Sequence, residues 1–113
     1  MVEPLAPYCQ IRKTLRKLET LDAKLKKEYQ LSLDEAILLC CLSQNCKCQG
    51  NIATETGLTP TQASRLLSKL EDKALVSRTI GEQDKRKMVF TLTNEGKEKL
   101  QQITPAGSEF LTL

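Results

Sequence analysis

The sequence contains no histidine and no tryptophan, and aromatic residues make up only 4% of it. The absence of histidine removes the most common general base, the Ser–His and Cys–His nucleophilic pairs, and the most common zinc ligand. The glycine patterns that cradle nucleotide phosphates are also missing. We therefore expect neither an enzyme nor a protein with a bound cofactor or metal.

Long apolar segments are absent as well. The longest, Ala36 to Leu42, is far shorter than the ~18 residues of a membrane span, and no secretory signal opens the chain. The five cysteines are an odd number, and Cys40 and Cys41 lie inside this apolar run, where we expect small core residues. No disulfide framework and no membrane association are expected, and a reducing cytoplasm fits this composition.

Charge is present but unevenly distributed over the 113 residues, a length typical of one domain. The net charge is only +3, yet residues 1–29 contain seven Lys or Arg against four acids, and residues 59–87 contain the same numbers. The segment between these two zones is faintly acidic. Two basic zones of this kind favour a polyanionic partner.

Residues 59–75 carry the pattern of an amphipathic helix, with Thr59 as the N-cap and Pro60 at the first helical position. The apolar stripe consists of Ala63, Leu66, Leu67, Leu70 and Ala74. The opposite face consists of Thr61, Gln62, Ser64, Arg65, Ser68 and Lys69. Its hydroxyl, amide and cationic groups suit base edges and phosphates in a major groove. An ordinary solvated surface helix would show the same pattern. The neighbouring segments therefore decide between a DNA-reading helix and a solvated one.

The preceding segment completes a helix-turn-helix. A helix over residues 49–56 is followed by Gly57, a natural left-handed residue after a helix end. Ala53, Gly57 and Ala63 have the small side chains and the spacing that a tight crossing of two helices requires. This arrangement favours the DNA-binding interpretation.

Two alternating segments, 76–80 and 88–92, follow the second helix and predict a β-hairpin. The loop that joins them carries Lys85, Arg86 and Lys87 beside Asp84. A charged loop alone is most often solvated. Attached to a helix-turn-helix, however, this hairpin is typical of a wing whose cationic tip enters a minor groove or binds phosphates.

Helices are predicted on both sides of this core. Residues 5–29 form a helix of roughly 36 Å, too long for so small a domain to cover, and we expect its seam to pair with a second chain. The seam consists of Ile11, Leu15, Leu18 and Leu25. The alternative is that this helix folds back onto its own core. Ser32 opens a capping box for a buried helix through about residue 43, and a last helix over 94–103 should stop at Thr104-Pro105.

The run QGNIATETGLTPTQASRLLSKLEDKALVSR, followed by DKRKMVFTLTNEG, resembles the MarR-type winged-helix transcriptional regulators, including their SarA-like relatives. The resemblance covers about residues 31–103 and rests most on the D-x-R wing followed by L-T-x-E-G. It implies that Arg86 reaches the minor groove, that Asp84 orients the wing, and that residues 61–69 meet the major groove. It also implies a homodimer, joined by the first and last helices, on a pseudo-palindromic operator.

The expected fold is therefore α+β and mostly helical: a winged helix-turn-helix with a long N-terminal helix and a wing of two to three strands. One domain would span 1–113, with a dimerisation helix at 5–29, the core at 31–93 and a short helix and tail at 94–113. Two features depart from the family. Ala74 replaces the usual glycine before the wing, and the terminal helix is shorter than usual.

The expected function is sequence-specific binding of double-stranded DNA as a repressor of transcription. The alternative is a winged-helix module that binds protein, because this fold is reused in that way. Salt-dependent retention on duplex DNA, compared with co-purification of a protein partner, separates the two. The resemblance also admits a small-molecule effector that binds between the dimer helices.

The cysteines allow two minor hypotheses. Cys9 lies near the start of a basic helix, where the helix dipole favours a thiolate, and organic-hydroperoxide sensors of the same family use an N-terminal-helix cysteine as a switch. A passive thiol is the alternative. Cys46 and Cys48 form a C-x-C pair that, with Cys9, would suit a soft metal, but C-x-C alone is a weak motif.

Overall fold

The computed structural model describes residues 6–44, 49–81 and 88–112. Its elements follow the predicted order, and the fold is α+β and mostly helical: α1 (Ala6–Tyr29), α2 (Leu33–Ser43), α3 (Gln49–Thr56), α4 (Pro60–Asp72), β1 (Val76–Ile80), β2 (Met88–Leu92) and α5 (Asn94–Leu111). Within the described ranges, no helix is long and apolar enough to cross a membrane. The C-x-C pair, Cys46 and Cys48, lies outside these ranges.

The capping box before α2 is confirmed. The Ser32 hydroxyl accepts a hydrogen bond from the backbone N–H of Glu35 at 3.1 Å, and the Ser32 N–H donates to the Glu35 carboxylate at 3.0 Å. Asp22, which interrupts the seam of α1, supplies a second cap, because its carboxylate accepts from the N–H of Leu33 at 2.8 Å. This backbone hydrogen bond, together with Lys26 at 2.9 Å, lowers the pKa of Asp22.

The hydrophobic core lies around α2 and collects side chains from every other helix and from the hairpin. Its largest fully buried members are Leu31, Leu38, Leu39, Ile52, Leu67, Leu70 and Phe90. Cys41 is buried as predicted, but the prediction for Cys40 is wrong, because this thiol is exposed. Cys40 lies one helical turn after the exposed Ile37, on the outer strip of α2.

The assignment of Leu25 to a partner-facing seam is also wrong. Leu25 is only 2% exposed in the single chain, where it packs in the core. Ile11 and Leu15, nearer the start of α1, are 53% and 55% exposed, and Leu18 is half-buried. The 24-residue helix is longer than the core that covers it. Its C-terminal half packs in the core, and its N-terminal half leaves its apolar side exposed.

The last helix does not stop at Thr104-Pro105, as the sequence predicted, but continues to Leu111 with Pro105 inside it. An internal proline costs about 3 kcal/mol, because it loses one helical hydrogen bond and crowds the preceding turn. The cost is offset by packing, since Ile103 and Ala106 on either side are buried and α5 contacts α1, α2 and β2. The terminal helix is therefore longer than expected, and Phe110 is half-buried while Leu111 is exposed.

Candidate nucleic-acid interface

The first turn of α4 is fixed by a reciprocal cap. The Thr59 hydroxyl accepts from the Gln62 N–H at 3.1 Å, and the Thr59 N–H donates to the Gln62 side-chain oxygen at 3.0 Å. Pro60 occupies the first turn, where no amide hydrogen is needed. Gln62 therefore has a structural role that the predicted base-reading role did not include. Its side-chain N–H₂ group makes no hydrogen bond within the described residues, so it can still donate to a base edge.

The opposite sides of α4 are as different as the sequence predicted. Ala63, Leu67 and Leu70 are fully buried, which fixes the rotation of the helix about its axis. The α4 reading face consists of the exposed residues Thr61, Gln62, Ser64, Arg65, Ser68 and Lys69. Neither Arg65 nor Lys69 forms an ion pair with any described residue. Both cations are therefore available to an anionic partner.

The turn between α3 and α4 has the predicted geometry. Gly57 adopts φ +77°, and its N–H donates to the carbonyl of Ala53 at 3.0 Å, which closes the end of α3. Ala53 and Ala63 are both buried where the two helices cross. The close crossing holds α4 against α3 and directs the α4 reading face away from the core.

The C-terminal end of α4 is held by a contact that sequence reasoning missed. The Lys73 ammonium donates to the Glu35 carboxylate at 2.7 Å and to the backbone carbonyl of Gln30 at 2.8 Å. Glu35 is 5% exposed and also accepts from the Ser32 N–H, so both of its oxygens are used. The contact joins residues 38 apart in sequence, and no local pattern identifies it. It fixes α4 relative to the corner between α1 and α2.

Ala74 lies beyond the end of α4, not in its apolar stripe, and the prediction for this residue is wrong. It adopts φ +61°, the left-handed conformation that the family glycine would adopt more easily. The chain therefore makes a left-handed turn into β1 without a glycine. The Thr93 hydroxyl donates to the Ala74 carbonyl at 2.6 Å, and the Thr93 N–H donates to the Leu75 carbonyl at 3.1 Å.

The wing begins as a two-stranded antiparallel sheet, in the register Val76–Leu92 to Ile80–Met88. Arg78, which sequence reasoning did not single out, binds Glu71 at the end of α4 through its Nε at 3.1 Å and lies 5.2 Å from the centre of the Phe90 ring. This side chain joins the base of the wing to α4. Asp84, Lys85, Arg86 and Lys87 lie outside the described residues, so their predicted roles stay predictions.

The remaining candidate sites receive little support. Cys9 is exposed on α1, while Cys46 and Cys48 lie outside the described residues. In the part of the chain that is described, no group of His, Cys, Asp or Glu could hold a metal ion. A half-open cavity of about 540 Å³ lies between α2, β2 and α5, with Lys97 at its edge. It is not the predicted site between dimer helices, and the small-molecule effector stays a prediction.

Comparison with known proteins agrees with this geometry. The sequence profile of the family described as transcriptional regulator SarA/Rot matches residues 20–103. The structure of MepR from Staphylococcus aureus in complex with DNA has 25% identity and a TM-score of 0.84, over 97% of this chain and 82% of MepR. No curated protein sequence matches at a significant level.

Two further structures share the fold. CouR, a transcriptional repressor bound to a 23-mer DNA duplex, has 27% identity and a TM-score of 0.81, over 92% of this chain and 73% of CouR. The transcriptional regulator BldR from Sulfolobus solfataricus has 20% identity and a TM-score of 0.79, over 97% of this chain and 83% of BldR. The winged helix-turn-helix fold of MarR-type regulators is therefore shown.

Proposed function

Because the chain belongs to the SarA/Rot family of transcriptional regulators, we propose that it regulates transcription by binding double-stranded DNA through the α4 reading face and the wing. The α4 reading face enters the major groove, and the residues at the tip of the wing, Lys85, Arg86 and Lys87, contact the minor groove and its phosphates. The regulator acts in the cytoplasm and represses transcription; the related CouR is a transcriptional repressor. The proposal includes no catalytic step and no cofactor.

One observation carries this proposal. The α4 reading face presents hydroxyl, amide and cationic groups that are all exposed, while Ala63, Leu67 and Leu70 on the opposite side of the same helix are fully buried. A helix with a rigid cap, a buried face and an unpaired Arg65 is oriented before it meets DNA, so little ordering entropy opposes binding. Arg65 can reach guanine or a phosphate, and Thr61 and Ser64 in the first turn can reach base edges.

Arg65→Ala and Arg86→Ala are each expected to weaken binding to an operator by about 1–3 kcal/mol, which is roughly 5- to 150-fold. The operator is obtained by selecting duplexes from a random pool with the wild-type protein, and affinity is measured by fluorescence anisotropy at several salt concentrations. Each lost phosphate contact reduces the salt dependence by about one unit of slope.

The matched control for these variants is Lys97→Ala, which removes one exposed cation from α5. It should leave the affinity nearly unchanged, while circular dichroism should show that all three variants fold. Wild-type affinity in Arg65→Ala would remove α4 from the interface, and wild-type affinity in Arg86→Ala would remove the wing.

The proposal includes a homodimer that pairs through α1. Tyr8, Ile11 and Leu15 are exposed on one side of the helix, and in a single chain their apolar surface stays in water. A two-fold axis near Leu15 would bury both copies of this side in one self-complementary contact. A dimer of this kind matches the symmetry of a pseudo-palindromic operator.

Leu15→Glu is expected to convert the dimer into a monomer, because two carboxylates would be buried near the two-fold axis without partners. Sedimentation velocity should then report the single-chain mass of 12.7 kDa and not twice that value. Ile80→Glu, at an exposed apolar residue of β1, is the control and should stay dimeric. A dimer that persists in Leu15→Glu would place the contact elsewhere.

A further inference from the structure

The cationic side chains of α1 lie on one side of the helix. The α1 basic stripe consists of six exposed residues, Arg12, Lys13, Arg16, Lys17, Lys24 and Lys27. At 3.6 residues per turn they fall within a sector of about 140° and extend over about 22 Å. No acid lies inside this sector: Asp22 is far from it, and Glu19 and Glu28 lie about 20° beyond its two edges. The stripe faces away from the buried Leu25 and borders the exposed Ile11–Leu15 side without including it.

This helix carries more than the net charge of the whole protein. Seven of the 17 basic residues and only three of the 14 acids lie in α1, so the helix has a charge of +4 and the rest of the chain −1. Glu109 of α5 comes within 4.0 Å of Lys24, and both side chains are exposed to solvent. No other ion pair involves the stripe within the described ranges.

Such a stripe has an energetic cost. Arg12 and Arg16, and likewise Lys13 and Lys17, are like charges one helical turn apart, and each such pair destabilises a helix by about 0.2–0.5 kcal/mol. The exposed surface of α5 carries Glu95, Glu98 and Glu109 as well as Lys97, and so mixes both signs as an ordinary solvated surface does. A stripe of one sign without interspersed acids therefore indicates a partner of opposite charge.

The chemistry of the stripe favours one class of partner. The centre of a protein–protein interface is depleted in charge and enriched in aromatic side chains, whereas the uncharged residues within the stripe are only Thr20 and Ala23. Single-stranded nucleic acid binds by stacking successive bases on several aromatic rings, whereas a single ring among the described residues, that of Tyr8, borders the stripe, on the side proposed for the dimer contact. Interfaces with duplex DNA are polar and strongly positive, and most of their hydrogen bonds go to phosphates and sugars.

We propose that the α1 basic stripe binds the phosphate backbone of a duplex DNA segment that the α4 reading face does not contact. The inference rests on the proposed function in that duplex DNA is the ligand. The stripe contributes affinity and salt dependence but no sequence preference, because phosphates are the same at every base pair. A dimer has two such stripes, and it therefore binds a greater length of DNA than the operator that its α4 reading faces contact.

The test replaces three stripe cations together, Lys13→Gln, Arg16→Gln and Lys17→Gln, because glutamine keeps the helix propensity. The control replaces Lys26, Lys97 and Lys99 by glutamine, which lowers the net charge equally from +3 to 0. Binding to a long duplex of arbitrary sequence is measured by anisotropy at several salt concentrations. In the stripe variant the slope of log K against log salt should fall in magnitude by about 2 to 3, at roughly 0.9 per phosphate contact. The control should keep most of the wild-type slope.

Two results would overturn the proposal. They are a wild-type slope in the stripe variant, and equal losses of slope in the stripe variant and the control. If the first result is accompanied by a loss of binding to polyglutamate, the stripe is assigned to an acidic protein partner instead. Circular dichroism and sedimentation velocity verify the fold and the oligomeric state of both variants. The binding of Arg65→Ala to the same duplex and to the operator is measured as well. This variant changes the α4 reading face and leaves the α1 basic stripe intact, so it tests the proposed function separately from the proposal for the stripe.

Discussion

Gly96→Ala is expected to lower the free energy of unfolding by about 3 kcal/mol, the upper end of what overpacking costs. An alanine Cβ at this position would lie 2.0 Å from the carbonyl oxygen of Leu75 and 3.0 Å from its carbonyl carbon. Both atoms belong to the backbone between α4 and β1, which cannot rotate away as a flexible side chain could. The first turn of α5 would have to move off the base of the wing. Urea denaturation measures the loss.

A matched control lies in the same helix. Apart from the nearby backbone of α5 itself, no heavy atom of the described residues lies within 4 Å of the position that a Cβ would occupy at Gly107, so Gly107→Ala should raise the stability by about 0.5–1 kcal/mol, through the better helix propensity of alanine. Opposite signs for the two substitutions would show that close approach, and not helix propensity, requires glycine at position 96. Equal effects would contradict the tight contact between α5 and Leu75.

Lys73→Met is expected to destabilise the protein by about 2 kcal/mol. Removing one partner of a buried ion pair costs about 3–5 kcal/mol, and the value is reduced here because the Lys73 side chain is 38% exposed and Glu35 keeps its hydrogen bond from Ser32. Methionine keeps the length of the aliphatic stem, so the change removes mainly the charge. The effect is measured from the denaturation midpoints of four proteins: the wild type, Lys73→Met, Glu35→Gln and the double variant that carries both substitutions.

The double variant should be more stable than the two single losses predict, because neither a buried charge nor its missing partner then remains. Lys26→Met is the control, since the Lys26–Asp22 pair has side chains that are 60% and 31% exposed, and its loss should cost about 1 kcal/mol or less. A small and equal effect in Lys73→Met and Lys26→Met would mean that the Lys73–Glu35 contact does not fix α4.

The parts of the fold that the sequence predicted are those set by local chemistry. The caps at Ser32 and Thr59 and the left-handed Gly57 each depend on residues within four positions of one another, and all are confirmed. The hairpin at 76–80 and 88–92 is also confirmed, because two alternating segments that are adjacent in sequence pair with each other. The exposed face of α4 could be predicted because the helix has one strong apolar stripe, which leaves the opposite side to the solvent.

The parts that the sequence did not predict depend on distant contacts. Pro105 signals a helix end by itself, but packing against α1 and α2 extends α5 past it. Lys73 and Glu35 are far apart in the chain, so nothing local suggested that they meet. Leu25 has the spacing of the exposed Ile11 and Leu15, and only the docking of the other helices onto one half of α1 separates core from seam.

Taken together, these contacts place the reading surface on a rigid scaffold. The cap at Thr59 fixes one end of α4, and the Lys73–Glu35 contact fixes the other relative to α1 and α2. Arg78 and Thr93 join the base of the wing to the end of the same helix. A change in the packing of α1 against α2, where the helix proposed for dimerisation meets the core, is therefore expected to displace the Lys73 end of α4.

The central claim is that the α4 reading face binds duplex DNA, and amide chemical-shift mapping tests it most directly. Titrating the isotope-labelled protein with its selected operator should shift the amides of Thr61, Ser64, Arg65 and Ser68 strongly. The amides of the buried Leu38 and Leu39 should stay nearly unchanged, and an equal amount of polyglutamate should leave α4 unaffected. Operator-induced shifts that avoid residues 61–69 and appear elsewhere in the chain would contradict the account.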